Sequence, residues 1–188
     1  MHNPKPDFMA ESIPSDPVYS RNVLEMLAVA NEYCVFVEQA DDATTDDLCG
    51  FFQKICPLLY LKGALLPVIE PANPEANERF VTEEKWEMVF NSLRAKFQPS
   101  DEFWFADAAF EESPEILKAS LAEHFTDIYQ DLKDYLILYQ KNSVAAKENA
   151  VAECRRLFAS HWGIRISNVQ KPLHHLIYPD LSETEDLF

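Results

Sequence analysis

The residues whose types and spacing best suit a chemical role lie in one short stretch, Asp127–Asp134. It reads Asp-Ile-Tyr-Gln-Asp-Leu-Lys-Asp. In a helix, Asp127, Asp131 and Asp134 fall on one face, at positions i, i+4 and i+7. Carboxylates this close repel one another unless positive charge meets them. The pattern is typical of a site for a cation or a basic ligand, of a solvated face, or of an ion-pair network. The arginines that follow and could complete such a network are Arg155, Arg156 and Arg165.

A second group of polar residues lies near the C-terminus, in Ser-His-Trp-Gly-Ile-Arg, with His174 and His175 one element later. A histidine and an arginine beside a tryptophan can form a ligand pocket or a general-base site. The candidate residues are His161, Trp162 and Arg165. The alternative is structural: the tryptophan lies in the core, Gly163 permits close helix contact and the histidines lie at helix interfaces. A ligand-binding or hydrolytic pocket requires this segment to meet the aspartates.

No motif for a cofactor, a metal or a catalytic group is present in the sequence. None of the five histidines follows an acidic residue at the Glu-x-x-His spacing of di-iron bundles. There is no His-Glu-x-x-His, no phosphate-binding glycine loop and no Gly-x-Ser-x-Gly. No catalytic residue, no metal ligand and no cofactor is therefore predicted. A weak divalent-cation site on the aspartate face stays open, since hard cations prefer oxygen ligands.

The segment 98–112 mixes aromatic and acidic side chains without a clear period, which predicts an ordered loop at the end of the domain. Its aromatics Phe103, Trp104 and Phe105 are flanked by charge, as binding hot spots often are. The leading hypothesis is therefore a non-enzymatic domain that binds a protein partner through these residues.

Apolar residues recur at helical spacing along most of the chain and predict an all-α fold. We expect an antiparallel bundle of about five to seven helices, with short loops and no significant sheet. Pro57 should kink or restart its helix. The longest helix is expected to start at Ser113-Pro114 and to run to about Lys141. The other predicted starts are Val18, Thr44 or Thr45, Thr82, Ser143 and a last helix over 164–177.

The chain of 188 residues carries 32 acidic and 16 basic side chains, a formal charge of −16. This charge argues against nucleic acid and anionic membranes as partners, because both require clustered lysine and arginine. The organisation expected is a flexible N-terminal segment (1–17), one helical domain (18–178) and an acidic tail (179–188). With no signal-like segment and four isolated cysteines, a cytoplasmic location is expected. Oligomeric state is not fixed by these features.

Several of these stretches resemble a known family. Ser120-Leu121-Ala122-Glu123 and the Asp127–Asp134 stretch are similar to the signature of an uncharacterised, all-helical bacterial family, domain of unknown function 5063. Weaker resemblances are carried by Asn22-Val23, Val29–Cys34, His161-Trp162-Gly163 and Leu173-His174. The resemblance covers about 18–178; it departs at Phe125-Thr126 and at Pro172. It implies an α-helical fold and no known activity.

Overall fold

The computed structural model describes residues 16–107 and 115–179, and they form six α-helices and one two-stranded sheet. The helices are α1 (Arg21–Glu38), α2 (Thr45–Ala64), α3 (Glu83–Phe97), α4 (Leu121–Gln140), α5 (Val144–Ser160) and α6 (Trp162–Ile177). The strands are β1 (Glu102–Asp107) and β2 (Glu115–Ser120). Three single-turn 3-10 helices cover Pro17–Tyr19, Ala40–Asp42 and Pro74–Ala76. The fold is predominantly α-helical, as predicted.

Helix α4 is the centre of the bundle and packs against α1, α3, α5 and α6. Most of its side chains are buried, on every side of the helix, which is typical of a helix enclosed by others. The Phe125 ring of α4 stacks on Phe52 of α2 with centroids 3.8 Å apart. Apolar packing around α4 therefore fixes where every side chain of the Asp127–Asp134 stretch must lie.

Side-chain caps begin four of the six helices of the described residues, as the sequence predicts for three of them. Thr44 and Asp47 form a reciprocal capping box at α2, and the Thr82 and Ser143 hydroxyls accept from the third residues of α3 and α5. Each cap satisfies a backbone donor that the helix leaves free. The same device starts α4, where Ser120 accepts from the Glu123 amide at 3.0 Å.

The predicted start of the longest helix at Ser113-Pro114 is wrong, and so is the prediction of a loop over the whole of 98–112. Residues 102–107 and 115–120 are antiparallel strands, and α4 begins only at Leu121. Residues 108–114, including Ser113-Pro114, lie outside the described residues. Each strand is only six residues long and contains acidic residues. A strand pattern over so few residues is hard to distinguish from an irregular segment.

Helix α2 continues through Pro57 from Thr45 to Ala64, so the predicted restart does not occur. A proline inside a helix loses one hydrogen bond and crowds the preceding turn. Buried side chains on both sides of it, Ile55 and Leu59 among them, hold the two halves in one continuous helix. Packing of an apolar face outweighs local propensity here. The last helix, α6, likewise contains Pro172 and covers the predicted range.

The four cysteines Cys34, Cys49, Cys56 and Cys154 are free and buried. Burial raises the pKa of the Cys49 thiol and raises that of Cys34 more strongly, so these cysteines act as small apolar groups. No helix among the described residues is long and apolar enough to cross a membrane.

The contact between α2 and α6 depends on Gly63. A Cβ at Gly63 would overlap the Trp162 ring and lie 2.6 Å from a Phe158 ring carbon, so G63A is expected to lower the free energy of unfolding by about 1–3 kcal/mol. Gly50, in the same helix, has no such neighbour within 4 Å; G50A should raise stability by about 0.5–1 kcal/mol. Urea unfolding of both variants measures this. Equal stabilities would contradict the close approach.

Candidate functional site

The three predicted aspartates of α4 are buried rather than solvated, with 3–8% of each residue exposed. The spacing that places them on one face turns that face toward α3, α6 and the segment preceding α3. An ionised carboxylate in such a position requires hydrogen-bonded or charged partners. The structure supplies partners for each of them from distant parts of the chain.

Asp127 is held between α3 and α6. The Trp86 indole N–H donates to its Oδ1 at 2.8 Å, and the Arg165 guanidinium lies 2.6 Å from its Oδ2. One neutral and one charged donor therefore meet the two oxygens of this carboxylate. Of the arginines proposed from the sequence, Arg165 is the one that joins the aspartates.

Asp131 and His161 form a carboxylate–imidazole pair, with Oδ2 and Nδ1 2.5 Å apart. The Arg165 Nε–H donates to the other ring nitrogen, Nε2, at 3.1 Å. In this arrangement Nε2 accepts a hydrogen bond and Nδ1 faces the Asp131 carboxylate. Such a pair resembles an oriented general base. Here, however, the lone pair that would accept a proton is already engaged by Arg165.

Asp134 accepts two backbone hydrogen bonds at Oδ1, from the Phe80 amide at 2.7 Å and from the Val81 amide at 2.9 Å. Burial raises the pKa of its carboxyl despite these bonds and the nearby Arg79. Arg79 also lies 3.6 Å from Asp131 and 3.5 Å from Glu153. The Asp134 carboxylate therefore joins the segment before α3 to the central helix.

Sequence reasoning missed Arg79, Trp86 and Glu153 as members of this network. Arg79 lies in a proline-rich connection, and the other two lie on helices that the sequence gives no reason to place beside the aspartates. Of the other two proposed arginines, Arg155 donates to the Leu66 carbonyl outside the network, and Arg156 reaches the network only through Glu153 and does not contact the aspartates. Position along the chain is a poor guide to which cation reaches a buried acid.

Trp162 does not join the aspartates. It is fully buried in the core, and its indole N–H donates to the Cys154 carbonyl at 3.0 Å. Gly163 packs closely on Phe158. The structural reading of these two residues therefore describes their placement, whereas His161 and Arg165 do converge with Asp127 and Asp131.

The three aromatics predicted as binding anchors are divided by the alternation of β1. Phe103 and Phe105 face inward, with ring centroids 5.5 and 6.3 Å from the His124 ring. Trp104 faces outward and is 68% exposed. Of the three, Trp104 is therefore the one that is mostly exposed, whereas Phe103 and Phe105 are half-buried.

Metal binding finds little support in this geometry. Within residues 16–107 and 115–179, no three His, Cys, Asp or Glu side chains are grouped so that they could hold a metal ion. The aspartates instead face arginine, imidazole, indole and amide donors.

These observations define the protein as a mainly α-helical bundle with a buried face of aspartates that pair with arginine. The chain belongs to the family described as Domain of unknown function (DUF5063), whose sequence profile matches residues 17–179. It is similar to protein BF1032 from Bacteroides fragilis, known from a crystal structure, at 30% identity and a TM-score of 0.78. The match covers 88% of this chain and 98% of that one. No curated protein matches the chain.

The Asp127–Arg165 pair should contribute strongly to stability. In Asp127→Asn the amide oxygen can still accept from Trp86, but the Arg165 charge loses its partner, at an expected cost of about 3 kcal/mol. The double variant D127N/R165M should recover part of that loss, because no unpaired charge remains. Urea unfolding is the measurement, with the exposed Glu32→Gln as control. A D127N loss no larger than the control's would show that the pair is solvated.

His124 should make stability depend on pH. Its ring is buried without a hydrogen-bond partner among the described residues. Burial, helped by Arg165 and His161, lowers its pKa to about 4, although a contact with the Ser120 backbone opposes part of the shift. The unfolded chain takes up a proton near pH 6.5. The contribution of neutral His124 is therefore complete above about pH 6.5 and is lost as the pH falls toward 4.

His124→Phe is therefore expected to lose less stability than the wild type between about pH 6.5 and 4. Urea unfolding at several pH values tests this, with exposed His175→Gln as the matched control. The control should follow the wild-type profile. A His124→Phe profile parallel to that of the wild type would mean that the imidazole is hydrated in the folded state.

Proposed function

We propose that this domain is a non-enzymatic binding protein and that β1 is its recognition strand. The observation that carries the proposal is the exposure of two large apolar side chains on one small sheet: Trp104 is 68% exposed and Ile116 is 67% exposed. Exposed aromatic residues of this kind are enriched in binding hot spots. Trp104 is the anchor, and Phe103 and Phe105 support the strand from its inner face.

The register of the sheet explains this division. Trp104 pairs with Lys118, and Ala106 pairs with Ile116; residues directly opposite in an antiparallel pair share a face. Trp104 and Ile116 are diagonal neighbours on that face, within reach of each other. The inner face, with Phe103, packs on the core. A rigid support therefore lies directly behind the exposed side chains.

A groove runs between β1 and α6 and supplies room for a partner. Its volume is about 400 Å³, and its walls include Phe103, Trp104, Pro172 and Leu176. Within the described part of the chain, the backbone of β1 is hydrogen-bonded to β2 alone. The amides and carbonyls on its other edge are therefore available to an added strand. Addition of an extended peptide to such an edge is a common mode of recognition.

The occupant that fits is an extended segment of a partner protein, with apolar side chains at alternate positions. The formal charge of −16 repels a second copy of this chain. Backbone pairing with β1 would place alternate side chains against Phe103 and Leu176. The groove is also lined by Glu102, Lys171 and His175, so polar side chains of either charge suit the positions between the apolar ones.

An enzymatic role is less well supported by the same structure. The pair with the best catalytic geometry, Asp131 and His161, has its second ring nitrogen engaged by Arg165. A general base needs that lone pair. We also infer a cytoplasmic location, because the four free cysteines suit a reducing compartment.

Selection of random peptides on phage against the folded protein tests the proposal. Enriched peptides should alternate apolar and polar residues, and Trp104→Ala should weaken their binding by about tenfold or more in fluorescence polarisation. The matched control is Leu61→Ala, which removes an apolar side chain of α2 that is 53% exposed. It should leave affinity unchanged.

Two results would overturn this proposal. One is enrichment of peptides that bind Trp104→Ala and wild type equally. The other is concentration-dependent self-association in sedimentation velocity that Trp104→Ala abolishes, since a second copy would then be the occupant. Hydrogen exchange adds a direct readout: the amides of β1 should become protected when a selected peptide binds.

A further inference from the structure

A second candidate site lies on the opposite side of the aspartate face, independently of the groove beside β1. It is a small cavity between the segment before α3, helix α4 and helix α5. Its polar walls include the carboxylates of Asp131, Asp134 and Glu153, and residues 77–79, ending in the half-exposed Arg79, form its outer side. It leaves about 10 Å³ for the centre of a water-sized group, which is about the space that one such group requires.

Arg79 lies at the outer side of this cavity without a close bond to any of its carboxylates. Its guanidinium lies 3.6 Å from Asp131, 3.8 Å from Asp134 and 3.5 Å from Glu153. Charge-assisted hydrogen bonds are normally about 2.7–2.9 Å long, so none of the three contacts is a formed one. The side chain of Arg79 is also 49% exposed. One half-exposed arginine is shared among three carboxylates without bonding any of them closely.

Asp134 presents an unpartnered oxygen to the cavity. Its Oδ1 accepts two backbone amides, but its Oδ2 is buried and accepts no hydrogen bond from the described residues. The whole residue is only 7% exposed. A buried carboxylate oxygen without a donor is costly. A donor of the right size in the cavity would remove that cost.

Acidic groups outnumber basic ones around the cavity. Three carboxylates face Arg79, and Arg156 adds a second positive charge at Glu153; Glu78, which also lines the cavity, pairs with Lys141 outside it. Burial raises the pKa of the Asp134 carboxyl, and a cation beside that carboxyl would favour its ionised form. A group that carries one positive charge therefore suits the cavity.

Apolar side chains complete the walls and decide the shape of the ligand. They come from α4 and α5 and are Tyr135, Leu138, Ala150, Cys154 and Leu157. The cavity itself has room for a charged head alone, so the methylene stem of a ligand would take the place of the half-exposed Arg79 side chain and run out toward solvent. A guanidinium is larger than one water, whereas an ammonium is water-sized and carries three donors. Three donors match the oxygens of Asp131, Asp134 and Glu153.

We propose that this cavity binds a primary alkylammonium group, with Arg79 swinging outward to admit it. The shared chemistry is an ammonium head on an unbranched alkyl stem, supplied by a free amine or by a lysine side chain. Arg79 occupies the outer side of the cavity as a weak internal competitor. The acidic surface of the domain raises the local concentration of such cations.

Isothermal titration calorimetry of the full chain tests the proposal with defined probes. n-Butylammonium and 1,5-diaminopentane represent free amines, and acetyl-Gly-Lys-Gly-amide represents a lysine side chain. n-Butanol, which lacks the charge, and tetramethylammonium, which lacks N–H donors, are the negative probes. We expect saturable binding at one site for at least one amine and none for the negative probes. The arm that binds more tightly identifies the source.

Substitutions distinguish this site from general attraction to an acidic protein. Asp134→Asn should weaken amine binding by about tenfold or more, because a charge-assisted hydrogen bond is lost. The matched control, Glu84→Gln, removes an equal charge at an acidic surface group on α3 and should have no effect. Arg79→Ala should strengthen binding by several-fold, because the competitor is gone.

The Arg79→Ala arm also keeps the test valid if Asp134→Asn unfolds. Equal losses in Asp134→Asn and Glu84→Gln would overturn the proposal, as would unchanged amine binding in Arg79→Ala. Weak binding at many sites for every cation, tetramethylammonium included, would mean that the cavity holds only water.

Discussion

Three aspartates on the central helix lie in the interior, and the arrangement of the neighbouring helices follows from what those carboxylates need. An ionised carboxylate out of water is tolerated only where donors and positive charge meet it. Here the donors come from Trp86 of α3, from the amides of Phe80 and Val81, and from Arg165 of α6. Apolar packing holds α4 at the centre, but the carboxylates specify which side of each neighbour turns toward it.

This constraint also explains why the domain has two different kinds of surface. On the side of α6, Asp127, Asp131, His161 and Arg165 satisfy one another, so little is left for a ligand. On the side of α5, the same face ends at Arg79, which is too distant to bond the carboxylates. The sheet lies apart from both and exposes Trp104. Side chains without complete internal partners are therefore found at Arg79 and on the sheet.

Much of the helical architecture could be predicted from the sequence, because helix caps and three- and four-residue spacing act locally. Thr44, Thr82 and Ser143 show this directly. The strands could not be predicted, since their stability comes from pairing and from packing on His124, both non-local. The aspartate face and its meeting with His161 and Arg165 were accessible from spacing and residue type. Arg79 was not, because nothing in an irregular connection indicates which buried acid it will approach.

The position of Arg165 has one more consequence, which concerns evolution rather than stability. The carboxylate of Asp131 already fixes the tautomer and the direction of the His161 ring, which is the demanding part of building a general base. The Arg165 guanidinium occupies the His161 nitrogen that would otherwise accept a proton. In a relative in which a neutral side chain replaced Arg165, the Nε2 atom of His161 would be free to accept a proton from whatever filled the space. The fold therefore already holds an imidazole oriented by a carboxylate, with its second nitrogen occupied by a guanidinium.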